Sequence, residues 1–234
     1  MCEARAAVME DTTFKSFRKR FYDNLPKSLK NWSEAPNQNE WWNKKRNKHE
    51  EPKADLLPID HHKEKILNHI HKHRITCIQG ETGCGKSTRV PVMLYEDWKD
   101  RGGEKNKEPL KVLVTQPRRL ACISLAQRVA TCCNQRLGGT IGYQISGDSN
   151  IKKDTRIVFM TTGYLLQVVV NDPGRLQQFT HVVLDEVHER DVDSDLLNLV
   201  VKIMLPRFTF NLVVMSATLQ GDLFTRYFAE NLQN

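Results

Sequence analysis

The sequence lacks any hydrophobic run long enough to cross a membrane. Its N-terminal stretch, MCEARAAVMEDTTF, also lacks the apolar segment of a secretory signal. We therefore expect an intracellular protein with no membrane partner, and the sequence leaves cytoplasm and nucleus undecided. The six cysteines contain no C-x-x-C pair, which argues against a zinc site or a disulfide framework. No internal repeat is evident, which argues against repeat architectures.

The composition is typical of a soluble protein, since 39% of the 234 residues are hydrophobic and 27% are charged. A chain of this length can bury one good core and carry an appendage. The net charge of +7 suits a polyanionic partner such as a nucleic acid, although charge alone does not demonstrate one.

Residues 1–55 differ in composition from the rest of the chain, and we expect a basic, Asn-rich, partly disordered extension and linker. Phe14, Phe17 and Phe21 lie among cations at near-helical spacing, which indicates a short basic amphipathic helix. Trp41 and Trp42 lie beside further cations. They could stack on bases or cover a patch of the folded domain, and both alternatives remain open.

From residue 56 onward, predicted helices and strands alternate, which is typical of a mostly parallel sheet with helices on both faces. We therefore predict one α/β domain over residues 56–234. Ligands of such sheets bind outside the carboxyl ends of the strands. The predicted strands lie near residues 75–78, 112–115, 157–160, 182–184 and 212–215, and the later predicted helices near 119–132, 163–170, 196–205 and 222–228.

A glycine-rich segment, GETGCGKST, follows the first predicted strand and precedes a predicted helix. It fits the pattern G-x-x-x-x-G-K-[ST], in which backbone amides and a helix N-terminus surround a phosphate. Lys86 would reach the β- and γ-phosphates, and Ser87 would ligate Mg²⁺. A glycine-rich turn with a solvated lysine is the alternative, but it leaves the preceding hydrophobic strand unexplained. The predicted nucleotide-binding residues are Gly80, Glu81, Thr82, Gly83, Cys84, Gly85, Lys86, Ser87 and Thr88.

An acidic pair, Asp185 and Glu186, ends another buried-type strand. Burial of two carboxylates is unfavourable unless a cation compensates. We therefore predict that Asp185 ligates Mg²⁺ together with Ser87, and that Glu186 orients and deprotonates the attacking water. The alternative is that the two acids only cap the following helix.

Five segments occur in order along the chain: GETGCGKST, TQPRRLA, TTGYLL, DEVHER and SAT. Together they resemble the first RecA-like domain of the DEAH-box RNA helicases, in the DEVH variant, over residues 57–228. The resemblance implies a RecA-like P-loop NTPase fold, ATP and Mg²⁺ as cofactors, and single-stranded RNA held by its backbone. It also implies a second RecA-like domain in cis that carries arginine fingers, and nothing after residue 218 resembles that domain.

The resemblance assigns four residues to nucleic-acid binding. Arg118 and Arg119 would contact RNA phosphates, and the hydroxyls of Thr161 and Thr162 would contact the RNA backbone. Such contacts follow a strand without reading its sequence. Relatives often have an arginine and an acidic residue where this chain has residues 146–148, Ser-Gly-Asp, so the resemblance does not extend to a nucleic-acid contact there.

The resemblance also implies base stacking by Arg128 and a coupling role for three residues. His188, Ser216 and Thr218 would sense the γ-phosphate, and His188 would join the catalytic set. The complete catalytic prediction is Lys86, Asp185, Glu186 and His188.

We therefore expect the motor domain of an ATP-dependent RNA helicase, present as a fragment that hydrolyses ATP very slowly alone. The alternative is a non-catalytic, truncated product that acts as a nucleic-acid or protein-binding module. A P-loop kinase or small-molecule ATPase would leave the TQPRR and SAT segments unexplained.

Overall fold

The computed structural model describes residues 56–103, 105, 109–218 and 221–229. Predictions made for residues 1–55, including the amphipathic helix and the tryptophan contacts, lie outside the described residues. Residues 55–234 form a compact unit by themselves. Within the described ranges, no helix combines the length and the apolar character that a membrane span requires.

The described residues form one sheet of seven strands. The strands are β1 (Ile75–Gln79), β2 (Val112–Gln116), β3 (Ile141–Ile145), β4 (Asp148–Asn150), β5 (Ile157–Thr161), β6 (His181–Leu184) and β7 (Asn211–Ser216). Their spatial order is β1-β7-β6-β2-β5-β3-β4. All neighbours pair in parallel except β3 and β4, which are antiparallel, so the predicted mostly parallel sheet is confirmed.

Helices cover both faces of the sheet, as predicted. They are α1 (Lys63–Lys72), α2 (Lys86–Asp100), α3 (Arg119–Cys132), α4 (Thr162–Asn171), α5 (Val192–Met204) and α6 (Gly221–Ala229). The first three pack in one hydrophobic cluster, and the last three pack in another. Because side chains alternate along a strand, Val112 and Val114 of β2 join the first cluster while Leu113 joins the second. Burial on both faces explains why the central strands are almost continuously hydrophobic.

The structure contains two strands that the sequence analysis did not predict, β3 and β4. At Gly142 of β3, an added Cβ would lie 2.2 Å from the Asn150 carbonyl oxygen, so glycine allows the close approach of the β4 end. Helix α5 also begins earlier than residue 196. The Asp191 carboxylate accepts a hydrogen bond from the Ser194 amide at 2.8 Å, and this cap starts the helix at Val192.

Candidate functional site

The glycine-rich segment forms the loop between the carboxyl end of β1 and the start of α2. Gly83 and Gly85 have φ values of +85° and +102°, a backbone region that favours glycine. At Gly85, an added Cβ would also lie 2.8 Å from the Leu57 Cδ1 atom. The Gly80 amide donates to the Ser216 carbonyl at 3.1 Å, which ties the start of the loop to the end of β7. Backbone geometry and packing therefore both require glycine at residue 85.

Lys86 is the first residue of α2, and its buried side chain reaches back into this loop. Its ammonium group donates hydrogen bonds to the main-chain carbonyl of Gly80 and, at 3.0 Å, to that of Glu81. The Thr88 hydroxyl donates to the Gly85 carbonyl at 3.1 Å, within the first turn of α2. The loop thus surrounds a buried cation at the N-terminus of a long helix, which is an arrangement that favours an anionic ligand.

Asp185 directly follows β6 and is buried at the same edge of the sheet. Its carboxylate accepts hydrogen bonds from the Gln116 amide at 2.5 Å and from the Glu186 backbone amide at 3.0 Å, and the Ser87 hydroxyl lies close to it. Its own amide donates to the Thr115 hydroxyl at 3.2 Å. The structure therefore brings Ser87 and Asp185 together across about a hundred residues of sequence.

The surroundings of Asp185 fit a divalent cation. Burial raises the pKa of Asp185 to about 6, and the hydrogen bond from Ser87 opposes that shift. The side-chain partners just described, Ser87 and Gln116, are neutral and supply no positive charge to the buried carboxylate. A carboxylate beside a hydroxyl is an oxygen ligand pair of the kind that Mg²⁺ prefers.

Glu186 and His188 lie in the tight turn that follows Asp185. Glu186 has a φ of +56°, which is uncommon for a residue other than glycine. Its carboxylate lies 3.4 Å from Nδ1 of His188. The same Nδ1 accepts a hydrogen bond from the Ala217 amide at 3.4 Å, which links this turn to the segment after β7. The strained backbone at Glu186 is of the kind that concentrates at functional sites.

Ser216 and Thr218 form a local network at the carboxyl end of β7. The Thr218 amide donates to the Ser216 hydroxyl oxygen at 3.2 Å, and the two hydroxyl oxygens are 3.3 Å apart. Because β7 lies between β1 and β6, this network adjoins both the glycine-rich phosphate loop (residues 80–88) and the acidic turn (residues 185–188). The three predicted coupling residues therefore lie in one continuous set of contacts.

The residues predicted to contact RNA differ in their accessibility. Arg118 and Arg119 are exposed; Arg118 lies 3.5 Å from the Glu189 carboxylate, and Arg119 donates to the Ser146 carbonyl at 2.6 Å. Thr161 and Thr162 expose only 7% and 4% of their surface. The structure therefore presents the two arginines directly and leaves little of either threonine accessible.

Three further predicted residues have simple placements. Arg128 is exposed on α3, while Thr82 is exposed and Cys84 is partly buried in the phosphate loop.

The sequence analysis did not propose Gln116, whose amide contacts Asp185 directly. Its position was a usable signal, because a polar residue that ends a buried strand of a parallel sheet lies at the ligand-binding edge.

Comparison with known proteins agrees with this geometry. The sequence profile of the DEAD/DEAH box helicase family matches residues 60–224. The chain is 42% identical over 175 residues to the putative ATP-dependent RNA helicase DHX57 of Mus musculus. This alignment covers 74% of this chain and 12% of that protein. It is 40% identical over 178 residues to human ATP-dependent RNA helicase DHX29, covering 74% of this chain and 13% of that protein.

A plant relative extends the comparison. The chain is 36% identical over 180 residues to the DExH-box ATP-dependent RNA helicase DExH1 of Arabidopsis thaliana, covering 76% of this chain and 18% of that protein. The chain therefore spans less than a fifth of the length of these curated relatives. Since the family profile covers most of the described domain, this chain belongs to the DEAD/DEAH box helicase family.

Proposed function

We propose that this domain binds and hydrolyses Mg-ATP and holds the backbone of single-stranded RNA, as one half of a helicase motor. A second RecA-like domain supplies the other half. The observation that carries the proposal is the buried carboxylate of Asp185 close to Ser87, beside a glycine-rich loop with a buried lysine. The names of the relatives, which are ATP-dependent RNA helicases, support the same function.

Nucleotide binding rests on the phosphate loop. The left-handed glycines Gly83 and Gly85 turn backbone amides towards an anion, and Lys86 supplies the positive charge. Ser87 and Asp185 hold the metal ion, which offsets the unfavourable burial of the Asp185 carboxylate. The Lys86 ammonium group is held by the carbonyls of Gly80 and Glu81, so it must turn from these carbonyls to the phosphate when the nucleotide binds.

Bound Mg-ATP supplies a γ-phosphoryl group for in-line transfer to water. Glu186 is the carboxylate that orients this water and removes its proton. His188 lies between Glu186 and the Ala217 amide, and so it relays changes at the acidic turn to the end of β7. An arginine from a second domain stabilises the transition state by about 10³–10⁵-fold in analogous GTPases. This domain alone should therefore turn over very slowly.

RNA binding rests on Arg118 and Arg119, which are exposed at the start of α3. Cations at a helix N-terminus are unfavourable without a counter-charge, and an RNA phosphate supplies one. The ion pair between Arg118 and Glu189 connects this surface to the turn that contains Glu186. A rearrangement of that turn would therefore alter an RNA contact.

The test is a titration of this chain with a fluorescent ATP analogue in the presence of Mg²⁺. Lys86→Ala should lower the affinity at least about tenfold, because a charge-assisted hydrogen bond to phosphate is lost. Lys72→Ala, at an exposed lysine of α1, is the control and should bind like the parent. Equal affinity of Lys86→Ala and the parent would reject the phosphate assignment. RNA binding without any nucleotide binding would favour the non-catalytic module.

A further inference from the structure

A cavity of about 420 Å³ lies next to the phosphate loop and is lined by residues of α1 and of the edge strand β1. Its volume is within the range of small-molecule sites. Gly80, Cys84 and Lys86 of the phosphate loop form part of its wall, but Ser87 and Asp185 do not line it. The cavity therefore adjoins the phosphate loop without including the two proposed metal ligands.

The walls of this cavity combine an apolar surface with positive charge. Ile59, Ile66 and Ile78 supply the apolar part, and Lys65 and Lys86 supply two ammonium groups. Among the described residues, no carboxylate lines the cavity. Attraction to an anion is therefore not offset by an acidic group within the walls.

A hydrogen bond fixes two polar side chains in the wall of the cavity. Nδ1 of His69 lies 3.0 Å from the Thr76 hydroxyl, and both residues line the cavity. Burial lowers the pKa of His69, and the neighbouring His73 lowers it further, so this imidazole is mainly neutral at pH 7. His69 therefore serves as a fixed hydrogen-bonding group, while the positive charge comes from the two lysines.

We propose that this cavity is a second ligand site, which takes a small amphipathic anion with an apolar body and one carboxylate, sulfonate or phosphate group. The apolar body packs on the three isoleucines, and the anionic group faces Lys65 and Lys86. Size and charge complementarity select this class of ligand over a neutral apolar compound.

Occupancy of the cavity should oppose nucleotide binding, a consequence that rests on the proposed function. The ammonium group of Lys86 is already held by the carbonyls of Gly80 and Glu81. An anion in the cavity stabilises that position and competes with a phosphate for the same charge. By thermodynamic linkage, the nucleotide weakens binding of the cavity ligand by the same factor.

The closing experiment titrates this chain, with ¹³C-labelled isoleucine methyl groups, with naphthalene-1-sulfonate. We expect saturable shifts at Ile59, Ile66 and Ile78, and none at the exposed Ile151 and Ile203. The neutral isostere 1-naphthalenemethanol should bind at least about threefold more weakly, because it lacks the charge. Equal binding of the two compounds, or shifts spread over surface isoleucines, would overturn the proposal.

Two matched variants sharpen the experiment. Lys65→Gln should weaken sulfonate binding about threefold, whereas Lys72→Gln should leave it unchanged. Both lysines are exposed on the same helix, so neither change should disturb the fold. Equal effects of the two variants would contradict the assigned site. Ile66→Trp should fill the cavity and abolish the shifts at Ile59 and Ile78, with circular dichroism as the check on folding.

Linkage is then measured separately, as the affinity for the ATP analogue with and without saturating sulfonate. A lower affinity with sulfonate supports the coupling, and an unchanged affinity refutes it. Absence of ATP binding in both samples would count against the proposed function alone, because the methyl titration reports on the cavity without any nucleotide.

Discussion

The proposed nucleotide side, around Lys86 and Asp185, and the proposed RNA side, around Arg118, hold their charged groups in different ways. Lys86 and Asp185 expose only 5% and 4% of their surface, and both are hydrogen-bonded within the loop and the strand ends. The side chain of Arg118 is 76% exposed and has one long ion-pair contact. Buried charges interact strongly because little solvent screens them, whereas exposed charges are weakened by water and salt. A single change should therefore matter more on the nucleotide side.

The largest effect is expected from Glu186→Gln. This change removes the carboxylate that accepts the proton of water, and general-base catalysis contributes about 10²–10⁴-fold. Single-turnover hydrolysis should slow at least about a hundredfold, while affinity for the ATP analogue stays unchanged. Glu64→Gln, at an exposed position of α1, is the control. A hydrolysis rate equal to that of the parent would remove Glu186 from the mechanism.

A second effect concerns a buried ionisable group outside the site, His181. Burial lowers the pKa of His181 to about 4, with smaller contributions from His71 and Arg101. Below pH 6.5 the unfolded chain therefore binds a proton that the folded chain rejects, so stability is lost as pH falls from about 6.5 to 4.

Substitution of His181 by glutamine should remove this pH-dependent loss, which amounts to about 3 kcal/mol across that window. Unfolding by urea at pH 7 and pH 5 measures the part of this loss that falls above pH 5, about 2 kcal/mol. The exposed His61, changed to glutamine, is the control and should keep the slope of the parent. An unaltered pH dependence in His181→Gln would show that another group causes it.

A third effect separates backbone strain from packing within the phosphate loop. Gly83 and Gly85 both have a positive φ, but an added Cβ meets nothing within 4 Å at Gly83 and lies 2.8 Å from Leu57 at Gly85. Each alanine substitution should therefore lower the free energy of unfolding, and Gly85→Ala should do so by about 1–3 kcal/mol more. Equal losses in the two variants would show that packing against Leu57 contributes nothing.

The smallest effect is expected on the exposed side. Arg119→Ala should weaken binding to single-stranded RNA several-fold and reduce the slope of log affinity against log salt by about one. Affinity for the ATP analogue should stay unchanged. Arg136, an exposed arginine outside the predicted set, is the matched control as Arg136→Ala. Similar losses in both variants would indicate nonspecific attraction to the basic surface.

The sequence analysis placed the glycine-rich loop and the acidic pair at strand ends more accurately than it placed the other elements of the domain. Residues of the phosphate loop and the acidic turn follow hydrophobic strands directly, so local pattern was enough to predict their positions. Strands β3 and β4 were not predicted because Gly142, Gln144 and the polar residues of β4 are not typical of strands. Their pairing depends on the close backbone approach at Gly142, which is visible only in the structure. The start of α5 was misplaced because the cap at Asp191 was not considered.

Local pattern also failed to predict accessibility on the RNA side. Thr161 ends a fully buried strand and Thr162 begins α4, so both are covered by the packing of neighbouring elements. Their predicted RNA contacts stay predictions. The role of Gln116 was missed for a related reason, since its partner Asp185 belongs to another strand.

By itself, the sequence determined five of the seven strands, the helices between them, the phosphate loop and the family, because these depend on local periodicity and on short segments of defined chemistry. Only the tertiary structure decided which distant groups meet. Parallel pairing of β1, β7 and β6 brings Ser87, Asp185 and Ser216 to one edge of the sheet. The packing of α1 against the open edge of β1 leaves the cavity behind the loop. Such contacts depend on chain topology and side-chain volume, which no short stretch of sequence encodes.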